Sequence, residues 1–192
     1  SFIFRGQTTA VDGLNKMDPE NKDQFETYFA LSGEKGLSSS VINCLFIDSK
    51  NNLWVGTDDG LNQYVPEIDS FETYKHESYN ENSLSHNNIT SICEDNDGHI
   101  WIGTRNGLNR FNPDHKIFSR YFAEGQKQIV PSNIINQVVV DQQANMWIGT
   151  PSGLSRVAKD TRKTSFFYTI PGVMNTIPND YILCIYPDEG GI

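Results

Sequence analysis

The sequence contains no run of 18 apolar residues, which excludes a membrane-spanning helix of ordinary length. Positive charge is scarce: 15 Lys and Arg stand against 24 Asp and Glu, for a net charge of -9 and a pI near 4.8. That balance argues against nucleic acid or an anionic membrane surface as a partner of this segment. Cysteine is limited to Cys44, Cys93 and Cys184, an odd number without any CxxC pair or Cys/His cluster. Zinc and a disulfide framework are therefore not expected, and buried unpaired thiols are. No cofactor motif is present. Nor is there a secretory leader, although a mature or excised chain would have lost one. Helical periodicity is also missing throughout.

What the sequence does have is repetition. "NNLWVGTDDGLNQY" (Asn51 to Tyr64) is followed by "GHIWIGTRNGLNRF" (Gly98 to Phe111) and "NMWIGTPSGLSRV" (Asn145 to Val157). Trp54, Trp101 and Trp147 are 47 and 46 residues apart, as are Gly60, Gly107 and Gly153. Asp48, Asp95, Asp141 and Asp188 extend the ladder with steps of 47, 46 and 47. A weaker copy precedes these, since "DGLNKMDPENKDQFETY" matches "DGLNQYVPEIDSFETY" with one extra residue. A period of this size marks a recurring structural unit.

Each unit reads as four short strands. "VINCLFID" (Val41 to Asp48) is apolar on both alternating faces apart from Asn43 and its last residue, as a strand buried on two sides requires. "LWVGT" and its equivalents form a second strand after tight-turn residues. "GLNQY" forms a third, opening on Gly, and "FETY" or "FSRY" a fourth. The third full unit departs from this with Val157-Ala158-Lys159 and "SFFYT", so its outer edge is expected to be built differently. Four strands per unit with no helix between units predict an all-β fold, a β-propeller of four-stranded antiparallel blades with about four blade-equivalents present. A parallel β-helix would need shorter coils, and an immunoglobulin-like sandwich gives no reason for one Trp at a fixed phase. The predicted units are a blade remainder at 1–36, blades at 37–83, 84–128 and 129–176, and the first strand of a further blade at 177–192. The tryptophans are expected to fill the wedges between blades.

On these residues the chain resembles the two-component regulator propeller repeat: "IWIGT-x-x-GLNR[YF]-x-P", followed about 20 residues on by "S-x-N-x-[IV]". The resemblance covers nearly the whole chain. It implies an extracytoplasmic, periplasmic sensor segment of a hybrid histidine kinase/response regulator, detecting glycan breakdown products for transcription of polysaccharide-utilisation genes. The implied partners are an oligosaccharide ligand and the remaining domains of the receptor, none of which is in this sequence.

Catalytic motifs are weak by comparison. Asp95-Asn96-Asp97-Gly98 begins like a calcium loop, but position 12 is Asn106 where a bidentate Glu is needed, so it reads as a hairpin turn. His76, His86, His99 and His115 fall in turns or loops without a nucleophile in a recognisable setting, and His99 is expected at the solvated surface. No metal ligands or catalytic residues are assigned, and the segment is read as non-enzymatic. A structural or protein-binding propeller remains the main alternative, and a propeller lyase or hydrolase a further one.

Binding residues are sought among those that vary within the constant frame. The turns between second and third strands and the connections from fourth to first strands open on one face. Asp58, Asp59, His86, Arg105, Asn106 and Asn133 are the candidates there for a polar ligand, as hydrogen-bonding groups. By phase, the chain begins near a second strand (Phe2 to Gly6) and ends on a lone first strand (Tyr181 to Asp188). Pairing of those two would close a ring. An arc without that pairing would expose strand edges, which a second copy of the chain could cover as a homodimer.

Overall fold

The computed structural model describes residues 2–6, 13–17, 20, 24–30, 36–125, 128–160 and 162–188. Among these residues fifteen strands make up four antiparallel sheets. The first has three strands, β1 (Phe2–Gly6), β2 (Gly13–Met17) and β3 (Phe25–Tyr28). The second holds β4 (Ile42–Ile47), β5 (Leu53–Thr57), β6 (Gly60–Val65) and β7 (Ser70–Tyr74), in chain order. The third holds β8 (Ile89–Glu94), β9 (Ile100–Thr104), β10 (Gly107–Asn112) and β11 (Ile117–Tyr121). The fourth holds β12 (Gln137–Val140), β13 (Met146–Thr150), β14 (Gly153–Val157) and β15 (Thr164–Phe167). Its outer strand pairs with β14 as β11 pairs with β10, so the expected departure at that edge is one of composition and not of topology.

Neighbouring sheets meet at their first strands. Asn43 Nδ2 on β4 donates to the Ile89 carbonyl on β8 at 2.8 Å, and Ser91 Oγ on β8 is 3.2 Å from the Val138 carbonyl of β12. Four-stranded sheets joined this way along their inner edges form the blades of a propeller.

Within each blade a carboxylate ties the second strand to the turn before it. Asp48, Asp95 and Asp141 each accept the indole N–H of Trp54, Trp101 and Trp147, at 2.9, 2.8 and 2.8 Å. The other carboxylate oxygen accepts the backbone N–H of Asn52, His99 or Asn145, at 2.7, 3.0 and 2.7 Å. One side chain therefore shapes the first hairpin and orients the ring that leaves it. At the opposite end Thr57, Thr104 and Thr150 close the next hairpin. Each hydroxyl donates to the carbonyl of Gly60, Gly107 or Gly153 at 2.9, 2.7 and 2.8 Å. Those glycines have φ of 137°, 113° and 127°, which L side chains rarely adopt.

The Gly of "WxGT" has another purpose. A Cβ on Gly56 would lie 2.6 Å from Ile89, on Gly103 2.8 Å from Ile135, and on Gly149 2.7 Å from Ile182. At this point the chain leading into the next blade crosses the second strand, and no side chain fits between them.

The oriented rings fill the gaps between blades. Trp54 is buried with Ile89, Ile100 and Phe111 of the following sheet, 5.5 Å from the Phe111 ring. Trp101 is buried with Val138, Met146 and Val157 of the sheet after that. Trp147 differs from the expectation: it stacks on Phe167 at 5.7 Å but is only half-buried, because no following sheet covers it among the described residues. β4 also differs. Leu45 and Ile47 are 37% and 55% exposed, so this strand is buried on one face only. The sheet before it has no first strand among the described residues to lie against them.

Cys93 is buried and Cys44 half-buried, but Cys184 is exposed, contrary to the expectation of three buried thiols. Burial pushes the Cys44 thiol up to about 12 and raises Cys93 as well. The expected first strand from Tyr181 forms no ladder across 181–187. Instead Ile182 N–H donates to the Thr150 carbonyl and its carbonyl accepts Asn136 Nδ2, each bond to the preceding blade (2.9 and 2.8 Å). The other first strands owe their ladders to a second strand of their own sheet, which this segment lacks among the described residues.

Two outcomes are expected. Gly103→Ala should destabilise the fold by about 1–3 kcal/mol through overpacking against Ile135, read from urea unfolding. Acid should act through the aspartates. Burial raises the Asp95 and Asp141 pKa values, but the indole and backbone N–H bonds outweigh it and leave both lowered. A carboxyl lowered in the folded state contributes stability above its unfolded pKa, about 3.9, and loses it as pH falls through the folded value. Asp95→Asn should therefore show a shallower loss of stability below about pH 4 than the wild-type chain.

Candidate functional site

The end carrying the Thr-closed hairpins, the upper end, also carries the connections between blades, and those connections are fastened by a repeated contact. Asn133 Oδ1 accepts the Ala123 N–H at 2.7 Å, and its carbonyl accepts the Gly107 N–H at 2.6 Å. Asn87 Oδ1 accepts the His76 N–H at 2.7 Å one blade earlier, and Asp180 accepts the Thr169 N–H one blade later. Ser40 does the same for the Ala30 N–H at 3.1 Å. A second fastener is Asn109, whose Oδ1 accepts the Ser85 N–H at 2.8 Å, as Asn62 does for Ser38 at 2.9 Å. In the next blade Pro131 stands in the serine's place and has no N–H to give. There Ser155 replaces the asparagine and donates to the Ile129 carbonyl at 2.7 Å.

Between these fastened connections lies a cleft of about 260 Å³, lined by Asn43, Asn88, Thr90, Arg105, Asn136 and Leu183. Asn43, Thr90, Asn136 and Leu183 are separated by 47, 46 and 47 residues, so each unit contributes one equivalent position. Two of the four have a role in the frame already, since Asn43 and Asn136 each donate to the next blade's carbonyl. A carboxamide has a second N–H and an acceptor oxygen beyond that bond. Thr90 is too short to make the same bridge. Its buried hydroxyl has no hydrogen-bond partner among the described residues. The exposed Arg105 side chain completes the rim with a cation. The arrangement can take a polar ligand rich in hydroxyls, or one with an anionic group toward Arg105.

Of the six residues expected to bind, Arg105 lines this cleft and the other five do not. Asp58 is an exposed turn residue whose N–H donates to the Val41 carbonyl at 3.3 Å. Asp59 pairs with Lys75 and accepts Asn87 Nδ2 at 3.0 Å. His86 Nδ1 accepts the Asn88 N–H at 3.0 Å. Asn106 is exposed, its N–H held by Thr104 Oγ1 at 3.1 Å, and Asn133 is the fastener described above. Asn43, Asn88, Thr90 and Asn136 were not among the expected residues. The signal for Asn43, Thr90 and Asn136 was a polar residue recurring at one register of the repeat, while Asn88, whose equivalents are Val41 and Ile134, carried none.

At the lower end, the Asp95, Asp97 and His99 ligand atoms lie within 4.8 Å of one another. Asp95 is already saturated by Trp101 and its own turn, Asp97 pairs with Arg162 at 3.0 Å, and Arg110 Nη2 lies 2.7 Å from His99 Nε2. Two cations beside the group disfavour a metal ion. Asp95 to His99 is a hairpin turn, closed by the Gly98 N–H on the Asp95 carbonyl at 2.9 Å. His99 is half-buried in it and not at the solvated surface, because Arg110 covers its ring.

Fold and cleft together define a segment of a β-propeller with a polar upper end. The two-component regulator propeller model matches residues 36–59 and 83–106. The extracellular domain of BT4673 from B. thetaiotaomicron, described both as a "putative one component system" and as a "putative hybrid two component system", shares the fold with a TM-score of 0.76 at 22% identity, over 95% of this chain and 23% of that one. That of BT3049 from the same organism gives 0.73 at 23% identity, over 94% and 24%. This chain thus spans about a quarter of their length. Virginiamycin B lyase from Staphylococcus aureus is more distant, with a TM-score of 0.57 at 12% identity over 84% of this chain and 50% of that one. No curated protein matches the sequence.

The upper-end assignments separate by substitution. Asn133→Ala should cost about 1–2 kcal/mol in urea unfolding by leaving the Ala123 N–H unpaired. Arg105→Ala should change stability by no more than about 0.5 kcal/mol, because its side chain is exposed and makes no hydrogen bond or ion pair among the described residues.

Proposed function

We propose that this chain is a non-catalytic, ligand-binding propeller segment from the extracytoplasmic sensor of a hybrid two-component receptor, recognising glycan breakdown products at the upper cleft. The single observation that carries the reading is the cleft itself. Equivalent positions of successive units converge there, with carboxamides and one cation lining a shared space and the unpartnered, buried hydroxyl of Thr90 in its wall. Such a set suits the hydroxyls of a sugar, with Arg105 favouring a carboxylated or sulfated one. The two-component repeats at 36–59 and 83–106 supply the signalling context. Among the described residues no helix is long and apolar enough to cross a membrane. Membrane anchoring, kinase activity and control of polysaccharide-utilisation genes then belong to other parts of the receptor.

The test is calorimetric titration of the chain with a panel of neutral and acidic oligosaccharides, accompanied by product analysis after long incubation. The expected result is saturable binding of at least one acidic member, weakened tenfold or more by Arg105→Ala and by Thr90→Val, with no cleavage. Cleavage abolished by one Asp or Glu substitution would move the assignment to a propeller lyase or hydrolase.

A further inference from the structure

The gaps between consecutive blades are not filled alike. Between the sheets β4–β7 and β8–β11, Phe111 and Phe118 face each other across β10 and β11 with ring centroids 4.7 Å apart. Phe111 also lies 5.5 Å from Trp54 and 5.0 Å from Tyr74. One unit later the corresponding cross-strand pair is Val157 and Thr164. Two aromatic rings are thus replaced by small side chains, and the partners of those rings, Trp101 and Tyr121, are retained 5.4 Å apart. A cavity of about 380 Å³ results, with Met146 and Val157 on its far wall. Interiors pack to high density, and an unfilled space of this size lowers stability.

Its mouth is basic. Arg110, Lys159 and Arg162 line the cavity, against the single carboxylate of Asp95. Both Asp95 oxygens are occupied by Trp101 and the turn N–H groups, and Arg162 is paired with Asp97. Arg110 rests 5.9 Å over the Trp101 ring, and its buried Nε has no hydrogen-bond partner among the described residues. In the preceding gap the same position is the neutral Gln63. Loss of two rings and gain of one cation therefore coincide in a single gap.

We propose that this gap is a second binding site, for a small organic carboxylate with a flat apolar body. The body lies in the slot that the two phenylalanines fill one unit earlier, against Trp101 and Tyr121, and the carboxylate meets Arg110 and Lys159. The site is at the lower end, away from the cleft proposed for glycans, and is independent of that reading.

The experiment titrates the whole chain with naphthalene-2-carboxylate, followed by tryptophan fluorescence and calorimetry, with naphthalene-2-carboxamide as the neutral counterpart. The carboxylate should bind saturably and at least tenfold more tightly than the amide. Val157→Phe should refill the slot, abolish binding and leave the thermal midpoint unchanged or higher. Arg110→Gln, which installs the side chain of the preceding blade, should remove the preference for the carboxylate. No saturable binding, equal binding of the amide, or unchanged binding by Val157→Phe would overturn the proposal. If Val157→Phe fails to fold, loss or retention of the carboxylate preference in Arg110→Gln decides.

Discussion

The hydrogen bond from a tryptophan indole to an aspartate six residues earlier is the contact on which the remaining architecture depends. A propeller blade is a small sheet that cannot bury both faces alone, and its stability comes from the ring it offers to its neighbour. The aspartate fixes that ring at the price of one buried carboxylate, and the same carboxylate ends the first hairpin through backbone N–H groups. Two residues after the tryptophan, on the same strand, a glycine without a Cβ lets the next unit cross close by. Ring, turn and crossing are thus set within about ten residues.

Once that frame is constant, variation elsewhere is informative. Pro131 and Ser155 change together because removing an N–H donor leaves an asparagine acceptor without purpose, and a serine can use a carbonyl instead. Val157 and Thr164 show a change compensated only in part: Ile129 and Val140 stand where the preceding unit has Ser83 and Glu94, and a space of about 380 Å³ is still left. The upper cleft follows the same logic: the residue that bridges blades as Asn43 and Asn136 becomes Thr90, whose hydroxyl is left over. Structural and functional positions are therefore distinguished by whether a neighbour has adjusted to them.

Much of the frame was legible in the sequence. The 47- and 46-residue steps, the phase of Trp and the Gly-Leu start of the third strand define the blades, because strand alternation and turn chemistry are local properties. The aspartate ladder was visible too, but its bond to the indole is a spatial fact that spacing alone does not give. The site was less legible. Asp59 and Asn133 vary among units as binding residues do, yet each is committed to a neighbouring loop: Asp59 to Lys75 and Asn87, Asn133 to Ala123. Asn43 stands out in the sequence only as an exception in an apolar strand, and its convergence with Thr90 and Asn136 depends on how blades are arranged about their inner edges. Exposure of Leu45 and half-burial of Trp147 likewise depend on which sheets lie beside them.

The Asp95–Trp101 contact holds the frame together, and a double-mutant cycle measures it directly. Trp101→Phe keeps an aromatic ring but removes the indole donor, and Asp95→Ala removes the carboxylate acceptor. Unfolding free energies of the two single variants and the double variant in urea at neutral pH should show a coupling of about 1.5–3 kcal/mol, the range for a hydrogen bond to a charged group. Additive losses, within about 0.5 kcal/mol, would mean that the aspartate shapes only its own turn and that the ring is oriented by packing alone.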